Sequence, residues 1–452
     1  MKSLKEIIIE NNKWNNYNFS DLDYVRSVSI DTRSVQSGDL FIGIIGDNFD
    51  GNQFLSDAIK KGACCVVLDR RSKYVENLTI STPYVVVDNS IEFLQELSKK
   101  YLQSWKNDHN GEVVCITGSN GKTTTKEMLS FLLEGFYPNQ VLATKGNFNN
   151  HIGVPLTLLR LSEKHRYAVV EIGTSSPGEI ESLSKMAMPD YGIITSVGES
   201  HLEKLKSIDG VFKEKVSLFE YVDKHSAKDR NCYFYKLGKL EDLRSSSKFC
   251  SIDAGDSLIK NMSNSFILLM NNQEVELTNN FLVGDYNFYN LSLAAAMALR
   301  LGVSVKSLNK TIPFFKPGLS RSEWIRFNNM SVFCDYYNAN PASMTNAIDA
   351  FYNHCGGANN SSLYILGDMY ELGDDSEKYH EQIGRYLKSK KIRNVIFIGN
   401  YSHCYQQGYG ENCIKYKSSK ELKLSILVTK KYEHVFVKGS RGVKLEEIFV
   451  DD

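Results

Sequence analysis

One short segment constrains this chain more than any other. Cys115–Lys126 reads CITGSNGKTTTK, and it joins an apolar run that reads as a buried strand, Glu112–Thr117, to a helix expected from about Lys122 to Leu133. A strand, a glycine loop, a GKT triplet and a helix in that order form the setting of a phosphate loop. Backbone N–H groups and the helix N-terminus face the phosphates, a lysine reaches the β/γ oxygens and a hydroxyl ligates magnesium. Lys122 and Thr123 take the last two roles, and Gly118, Ser119, Asn120, Gly121 and Thr124 complete the loop. The spacing departs from GxxxxGK[ST], because Gly118 lies only three residues before Gly121. A glycine turn that merely links strand to helix is the bland alternative. A bare GK dipeptide would favour it, but the full strand–loop–GKT–helix context outweighs it and predicts ATP binding.

The same alternation recurs along the chain, and apolar strands separated by helices imply parallel sheets with crossovers. At roughly 100–200 residues per domain, 452 residues predict about three domains, placed at 1–107, 108–316 and 317–452. In the first, Val25–Ile30 and Leu40–Ile45 read as strands around a polar turn at Gly38 and Asp39, and Gln53–Lys61 as a helix stopped by Gly62. Ile91–Trp105 has helical periodicity, and the polar stretch Lys106–Gly111 reads as a linker. In the second, Tyr167–Glu171 and Tyr191–Val197 read as buried strands, Ser207 as an N-cap and Tyr286–Leu301 as a helix. Residues 230–283 hold short β-like runs and asparagine turns. In the third, strands at Val332–Asp335, Leu363–Leu366, Val395–Ile398 and His434–Val437 alternate with helices at Ala342–Tyr352 and Glu377–Lys390.

Composition removes other classes. Basic and acidic side chains balance at 53 each, so nothing in the charge points to a nucleic-acid partner or an anionic membrane surface. The nine cysteines include no CxxC pair and no zinc-like spacing, which reads as reduced core thiols of a cytosolic protein. MKSLKEIIIENNKW is too short in apolar residues for a signal peptide, and no run could span a bilayer. A cytoplasmic protein, without membrane insertion and acting as a monomer, is expected.

Further motifs sharpen the reading. TGSNGKTTT resembles the variant phosphate loop of the Mur ligase family, which also includes folylpolyglutamate synthases. Residues 31–51 (DTRSVQSGDLFIGIIGDNFDG), 146–158 (GNFNNHIGVPLTL), 171–180 (EIGTSSPGEI), 335–345 (DYYNANPASMT), 366–373 (LGDMYELG) and 438–442 (KGSRG) are similar to family segments in matching order. The resemblance runs nearly end to end. It implies an α/β protein of three domains: an N-terminal UDP-muramoyl-peptide-binding domain, a central P-loop ATPase and a Rossmann-like C-terminal domain. The implied activity is ATP-dependent joining of D-alanyl-D-alanine to a UDP-N-acetylmuramoyl-tripeptide through an acyl phosphate, in peptidoglycan precursor synthesis. A sister amide ligase, or a catalytically silent nucleotide-binding protein of the pathway, are the alternatives. The segments NANP and LGDMYELG argue against the first, and the intact Lys122, Thr123, Glu171, His201 and Lys215 against the second.

The resemblance also implies roles. Glu171, at a predicted strand end, binds magnesium beside Thr123; alone it would read as a solvated glutamate. His201 and Lys215 serve a second magnesium ion, with Lys215 N-carbamylated by carbon dioxide, a reaction that needs a neutral amine. A solvated helix lysine is the bland reading of Lys215, and Lys213 is the competing register. Asn290 reads adenine with Asn287 as helper, although both could simply turn the helix entry. Asp335 accepts from ribose hydroxyls and Arg321 faces the phosphates, from Leu319-Ser320-Arg321-Ser322 where relatives carry Gly-Arg. His151 stands where many relatives have an acid and receives no catalytic role. Asp31, Thr32, Arg33, Asp50 and Gly51 are the UDP-substrate candidates; without the resemblance they would read as a polar hairpin. Asn147, Asn149, Asn150, Asn338 and Asn340 line the expected peptide path, and Asn340-Pro341 is also a natural helix start.

Overall fold

The computed structural model describes residues 2–11, 13–19, 22–46, 48–75, 81–229, 231–236, 238–243, 248–252, 258–261, 265–270, 273–318, 320–358, 360–422 and 432–449. Leu319, and parts of the 230–283 region, lie outside the described residues.

Three parallel-rich sheets follow one another along the chain. The first has five strands in the order Asn15–Tyr17, Tyr84–Val87, Cys65–Asp69, Asp39–Ile42, Ser27–Ser29, all parallel except the Asn15–Tyr17 edge. The hairpin expectation fails here, because Ser27–Ser29 and Asp39–Ile42 pair in parallel. The intervening residues first reverse at Asp31, whose carboxylate accepts from the Arg33 backbone and whose carbonyl accepts from Ser34 N. They then run back to the starting end of the sheet before Gly38, at φ +86°, re-enters it.

The linker expectation is also corrected. The helix caps at Asn89 and runs from Ser90 to His109, so most of Lys106–Gly111 is helical. Packing overrides polarity in its last turns. Trp105 is fully buried and donates to His165 O at 3.2 Å, Tyr101 donates to Leu161 O at 2.9 Å, and Lys106 pairs with Asp190 at 2.7 Å. The chain breaks only at Asn110, in the left-handed region, and at Gly111, where a Cβ would lie 2.2 Å from the Trp105 ring. One continuous core therefore runs from Leu4 and Trp14 through this helix to Val113, Leu158 and Leu218 in the middle region.

The middle sheet has six parallel strands, ordered Phe249–Ile252, Cys232–Tyr235, Tyr191–Ile194, Glu112–Thr117, Tyr167–Glu171, Val141–Ala143. A three-stranded antiparallel sheet, Leu258–Asn261, Ser265–Met270 and Gln273–Thr278, follows it. The third sheet orders Glu323–Phe327, Met330–Asp335, His434–Lys438, Ser362–Gly367, Val395–Ile398, Ile414–Tyr416, with only the first strand antiparallel. Asn340 caps the helix Pro341–His354 in a reciprocal pair with Ser343, as its sequence predicts. All nine cysteines are free thiols, and among the described residues no helix is long and apolar enough to cross a membrane.

His380 ties the third region's turns together. It is fully buried, accepts from Met369 N at 2.9 Å and bonds Ser376 O through Nδ1, and burial lowers its pKa from 6.5 to about 4. A base depressed in the fold stabilises it fully above the unfolded value, and that stability is lost as pH falls towards the folded one. The expected loss is about 2 kcal/mol between pH ~7.5 and ~5. Urea denaturation at both pH values should show that drop, and His380→Gln should show a smaller one; equal drops would refute it.

Candidate active site

The phosphate loop grows from the carboxyl end of Glu112–Thr117, the central strand of the middle sheet. Gly118 and Gly121 sit at φ +153° and +83°. A Cβ on Gly118 would lie 1.9 Å from Thr195 Oγ1, and one on Gly121 would lie 2.3 Å from Asn290 Oδ1, so both positions require glycine for space as well as angle. The neighbouring strand end pins the loop. Asn120 N donates to Ser196 Oγ at 2.9 Å, Ser119 Oγ to Gly198 O at 3.0 Å, and Thr195 Oγ1 to Thr117 O at 3.2 Å. Lys122 opens the helix Lys122–Glu134 and its ammonium turns back onto Gly118 O at 2.6 Å. Desolvation, partly offset by Glu171, holds that ammonium below the usual lysine range.

Register brings the acid beside the loop. Glu171 pairs with Ile116 on the adjacent parallel strand, so both chain ends leave the sheet at one edge. Glu171 is 2% exposed; Asn149 donates to Oε1 at 2.8 Å, and Oε2 has no partner among the described residues. A buried carboxylate oxygen left open costs stability unless something occupies it, and the donor chemistry here, oxygen from Glu171 and Thr123, suits a hard cation.

Lys215 lies in the helix Ile208–His225, capped by Ser207 as expected. It is 1% exposed, whereas Lys213 is exposed, so the helix turns only Lys215 inward. Desolvation first, and the charge of Lys122 second, push its pKa well below the ordinary value. The adjacent Glu214 does not neutralise it by contact. Its carboxylate instead accepts from Gly178 N at 2.6 Å and Ile180 N at 2.7 Å at the start of the helix Glu179–Ala187.

The third region reaches the loop directly. Asn340 and Asn120 exchange amide hydrogen bonds at 2.8 and 3.3 Å, and Glu371 Oε2 lies 2.6 Å from His201 Nδ1. The hydrogen bond with His201 holds the Glu371 carboxyl below its usual range. Asp335 is paired with the buried Lys438 at 2.6 Å and accepts from Ser322 N at 3.1 Å. The Arg321 guanidinium stacks 3.7 Å from the Tyr337 ring centre.

These elements enclose a cavity of about 1380 Å³. It brings together Ser119, Asn120, Gly121, Lys122, Thr123 and Thr124 with Asn149, Asn150, Glu171 and His201. Asn287, Asn290, Arg321, Asp335 and Asn338 close it from the far side. Gly118, Lys215 and Asn340 do not line it, though Gly118 O accepts from Lys122 and Asn340 pairs with Asn120. Asn287 donates its amide to Val283 O at 2.8 Å, the turn role weighed from sequence, while Asn290 sits beneath Gly121. Asn150 turns the chain into the helix Gly153–Leu158, its Oδ1 accepting from Ile152 N and Gly153 N. Asn147 is exposed and does not line the cavity.

The first-region candidates lie elsewhere. Asp31 and Arg33 form an exposed fork with one another at 2.7 Å, and Thr32 O accepts from Lys61. Asp50 accepts from Asn52 and Ser72, and Gly51 fits a space where a Cβ would lie 2.8 Å from Ile44 N. Lys438 and Glu371 escaped the sequence reading although KGSRG and LGDMYELG contain them; a motif match does not reveal which side chain a distant strand end will meet. Glu377, His403 and Cys404 also gather within 4.8 Å outside the cavity. They lie at the first turns of two helices, whose positive ends disfavour a cation.

Three family models match in order: Mur ligase family, catalytic domain, over residues 24–102; Mur ligase middle domain over 116–298; and Mur ligase, glutamate ligase domain, over 320–441. The UDP-N-acetylmuramoyl-tripeptide--D-alanyl-D-alanine ligase of Bacillus subtilis is 32% identical over 94% of this chain and 93% of its own length. In fold, the chain is similar to MurF from Acinetobacter baumannii, with a TM-score of 0.82, 24% identity and coverage of 98% and 96%. It is also similar to MurF ligase from Thermotoga maritima solved in complex with ADP, with a TM-score of 0.77, 24% identity and coverage of 94% and 96%. A loop that fits nucleotide phosphates, a docked third domain and a likeness extending along the whole chain converge on one conclusion: this chain belongs to the Mur ligase family.

Proposed function

We infer that this enzyme is an ATP-dependent ligase joining D-alanyl-D-alanine to UDP-N-acetylmuramoyl-tripeptide in peptidoglycan synthesis. One observation carries the chemistry: the loop lysine, the buried open carboxylate of Glu171 and the third-domain Arg321 meet at one cavity, whose loop residue Asn120 is held by Asn340. The terminal carboxylate of the tripeptide attacks the γ-phosphorus of ATP, forming an acyl phosphate and releasing ADP. The dipeptide amine then attacks the acyl carbon, the tetrahedral intermediate expels phosphate, and the amine gives up its proton. The protein's part is positioning and charge neutralisation.

Within this reading Lys122 leaves the Gly118 carbonyl for the β/γ oxygens, and backbone N–H groups of Ser119–Thr124 hold the phosphates. Asn290 and Asn287 face the base, Asp335 the ribose and Arg321 the phosphates. Magnesium would be held by Thr123 and Glu171, with a second ion near His201 and a carbamylated Lys215, and would supply charge neutralisation at the transferred phosphoryl group. Asn149, Asn150, Asn338 and Asn340 border the acceptor path. Asp31, Thr32, Arg33, Asp50 and Gly51, in the 1–107 domain, mark the UDP end. The enzyme is read as a monomer. Balanced charge supports an enzyme that binds no nucleic acid, and nine free cysteines support a cytoplasmic one.

A coupled ADP-release assay offering lysine- and diaminopimelate-containing UDP-tripeptides with several dipeptides tests the activity. Turnover should require D-alanyl-D-alanine; equal turnover with single amino acids would point to a sister ligase. In that assay Lys122→Ala should remain folded and lose roughly 10²–10³-fold in kcat. Near-wild-type turnover at saturating ATP would remove Lys122 from the mechanism.

Carbamylation of Lys215 has a pH signature. Its amine adds carbon dioxide only when neutral, forming an N–C bond and releasing a proton, and the lowered pKa extends the neutral range downwards from the usual lysine value. Occupancy, read by ¹³C NMR with labelled bicarbonate, should fall as pH is lowered and in degassed buffer. Lys215→Arg should show neither signal nor activity. An unlabelled Lys215 in a fully active enzyme would overturn the assignment.

A further inference from the structure

The LGDMYELG segment is built as a rigid presenter of one side chain. Met369 and Leu372 are buried, Met369 N donates to His380, and Tyr370 N donates to Ser440 Oγ at 3.0 Å. Asp368, fully buried, holds the next loop by accepting from Asn400 N and Tyr401 N. Between these anchors Glu371 adopts φ +63°, a left-handed backbone that is unfavourable for a glutamate. Its target has the same peculiarity: His201 sits at φ +54°, immediately before the short helix Leu202–Leu205. Gly373 takes the following left-handed position, φ +65°, without strain and lies against Glu203, two residues after His201. Two strained residues from different domains thus meet at 2.6 Å beside the cavity.

Resting on the ligase reading of this cavity, we propose that Glu371 is a positioning residue. On docking of the third domain it accepts the Nδ1 proton of His201 and fixes the imidazole with Nε2 unprotonated and turned to the cavity. A carboxylate behind a histidine sets both its tautomer and its ring orientation. Docking of the third domain is thereby coupled to assembly of the phosphoryl-transfer site, and an undocked enzyme holds an unoriented His201. No covalent step is involved.

Glu371 is largely exposed apart from this contact, with 62% of its side chain accessible, so its replacement leaves the fold intact. The test combines ¹⁵N NMR of the His201 ring, assigned with His201→Gln, with steady-state kinetics on the full chain. Wild-type protein should show the Nδ1-protonated tautomer. Glu371→Ala should shift it towards the Nε2-protonated form and lower kcat about tenfold or more, with KM for ATP little changed. Glu371→Gln, whose Oε1 accepts the same bond, should restore the tautomer and most of the rate. Wild-type kcat in Glu371→Ala, or a loss of kcat with an unchanged tautomer, overturns the proposal. Failure of wild-type protein to use D-alanyl-D-alanine would instead strike the ligase reading, and the tautomer shift would still decide the role of Glu371.

Discussion

Parallel pairing of three central strands is the constraint on which this molecule depends. Glu112–Thr117 is hydrogen-bonded to Tyr167–Glu171 on one side and to Tyr191–Ile194 on the other. Because all three run the same way, their carboxyl ends deliver Gly118, Glu171 and Thr195 to one edge. There the side chain of Thr195 fills the space that a Cβ on Gly118 would need, and Asn149 holds one oxygen of Glu171 while the other stays open. An antiparallel neighbour would have carried its end to the opposite face and left the loop without an acid.

Two lysines, Lys215 buried and Lys122 half-buried, give that edge its character. Desolvation lowers the proton affinity of both; the charge of Lys122 lowers that of Lys215 further, and Glu171 offsets only part of the effect at Lys122. Such a place favours phosphate oxygens, or a lysine modified into an anion, over two free ammonium groups. At the loop the third domain adds polar contacts, the Asn340–Asn120 amide pair and the Glu371–His201 contact, while Val283 and Tyr286 of the middle domain pack into its apolar core. Polar contacts of this kind reverse more readily than a packed core, which suits a domain that must admit and release substrates. The first domain is joined more extensively, sharing one continuous apolar core with the middle domain through the helix Ser90–His109.

Local signals in the sequence carried much of this. The phosphate loop, the caps at Ser207 and Asn340, and the glycine stop at Gly62 depend on nearest neighbours along the chain, so composition and spacing expose them. Polarity alone misled at Lys106–Gly111, where Trp105 and Lys106 find partners some 60 to 84 residues away. It misled again at residues 30–38, because a turn sequence does not say whether the chain pairs at once or first returns to the far end of the sheet.

By itself, then, the sequence determined the alternation that makes parallel sheets, the loop that meets phosphate, and the residue types around it. Tertiary structure decided which of those residues act together. Lys213 and Lys215 are chemically identical, but two residues turn a helix by about 200°, so only one can face the sheet, and packing chose Lys215. Glu371 and Lys438 acquired partners only when the third domain folded and docked, setting Glu371 against His201 across the interdomain contact and Lys438 against Asp335 on the adjacent strand. Periodicity reports which side of its own element a residue occupies; which distant atom it will touch depends on how whole sheets pack.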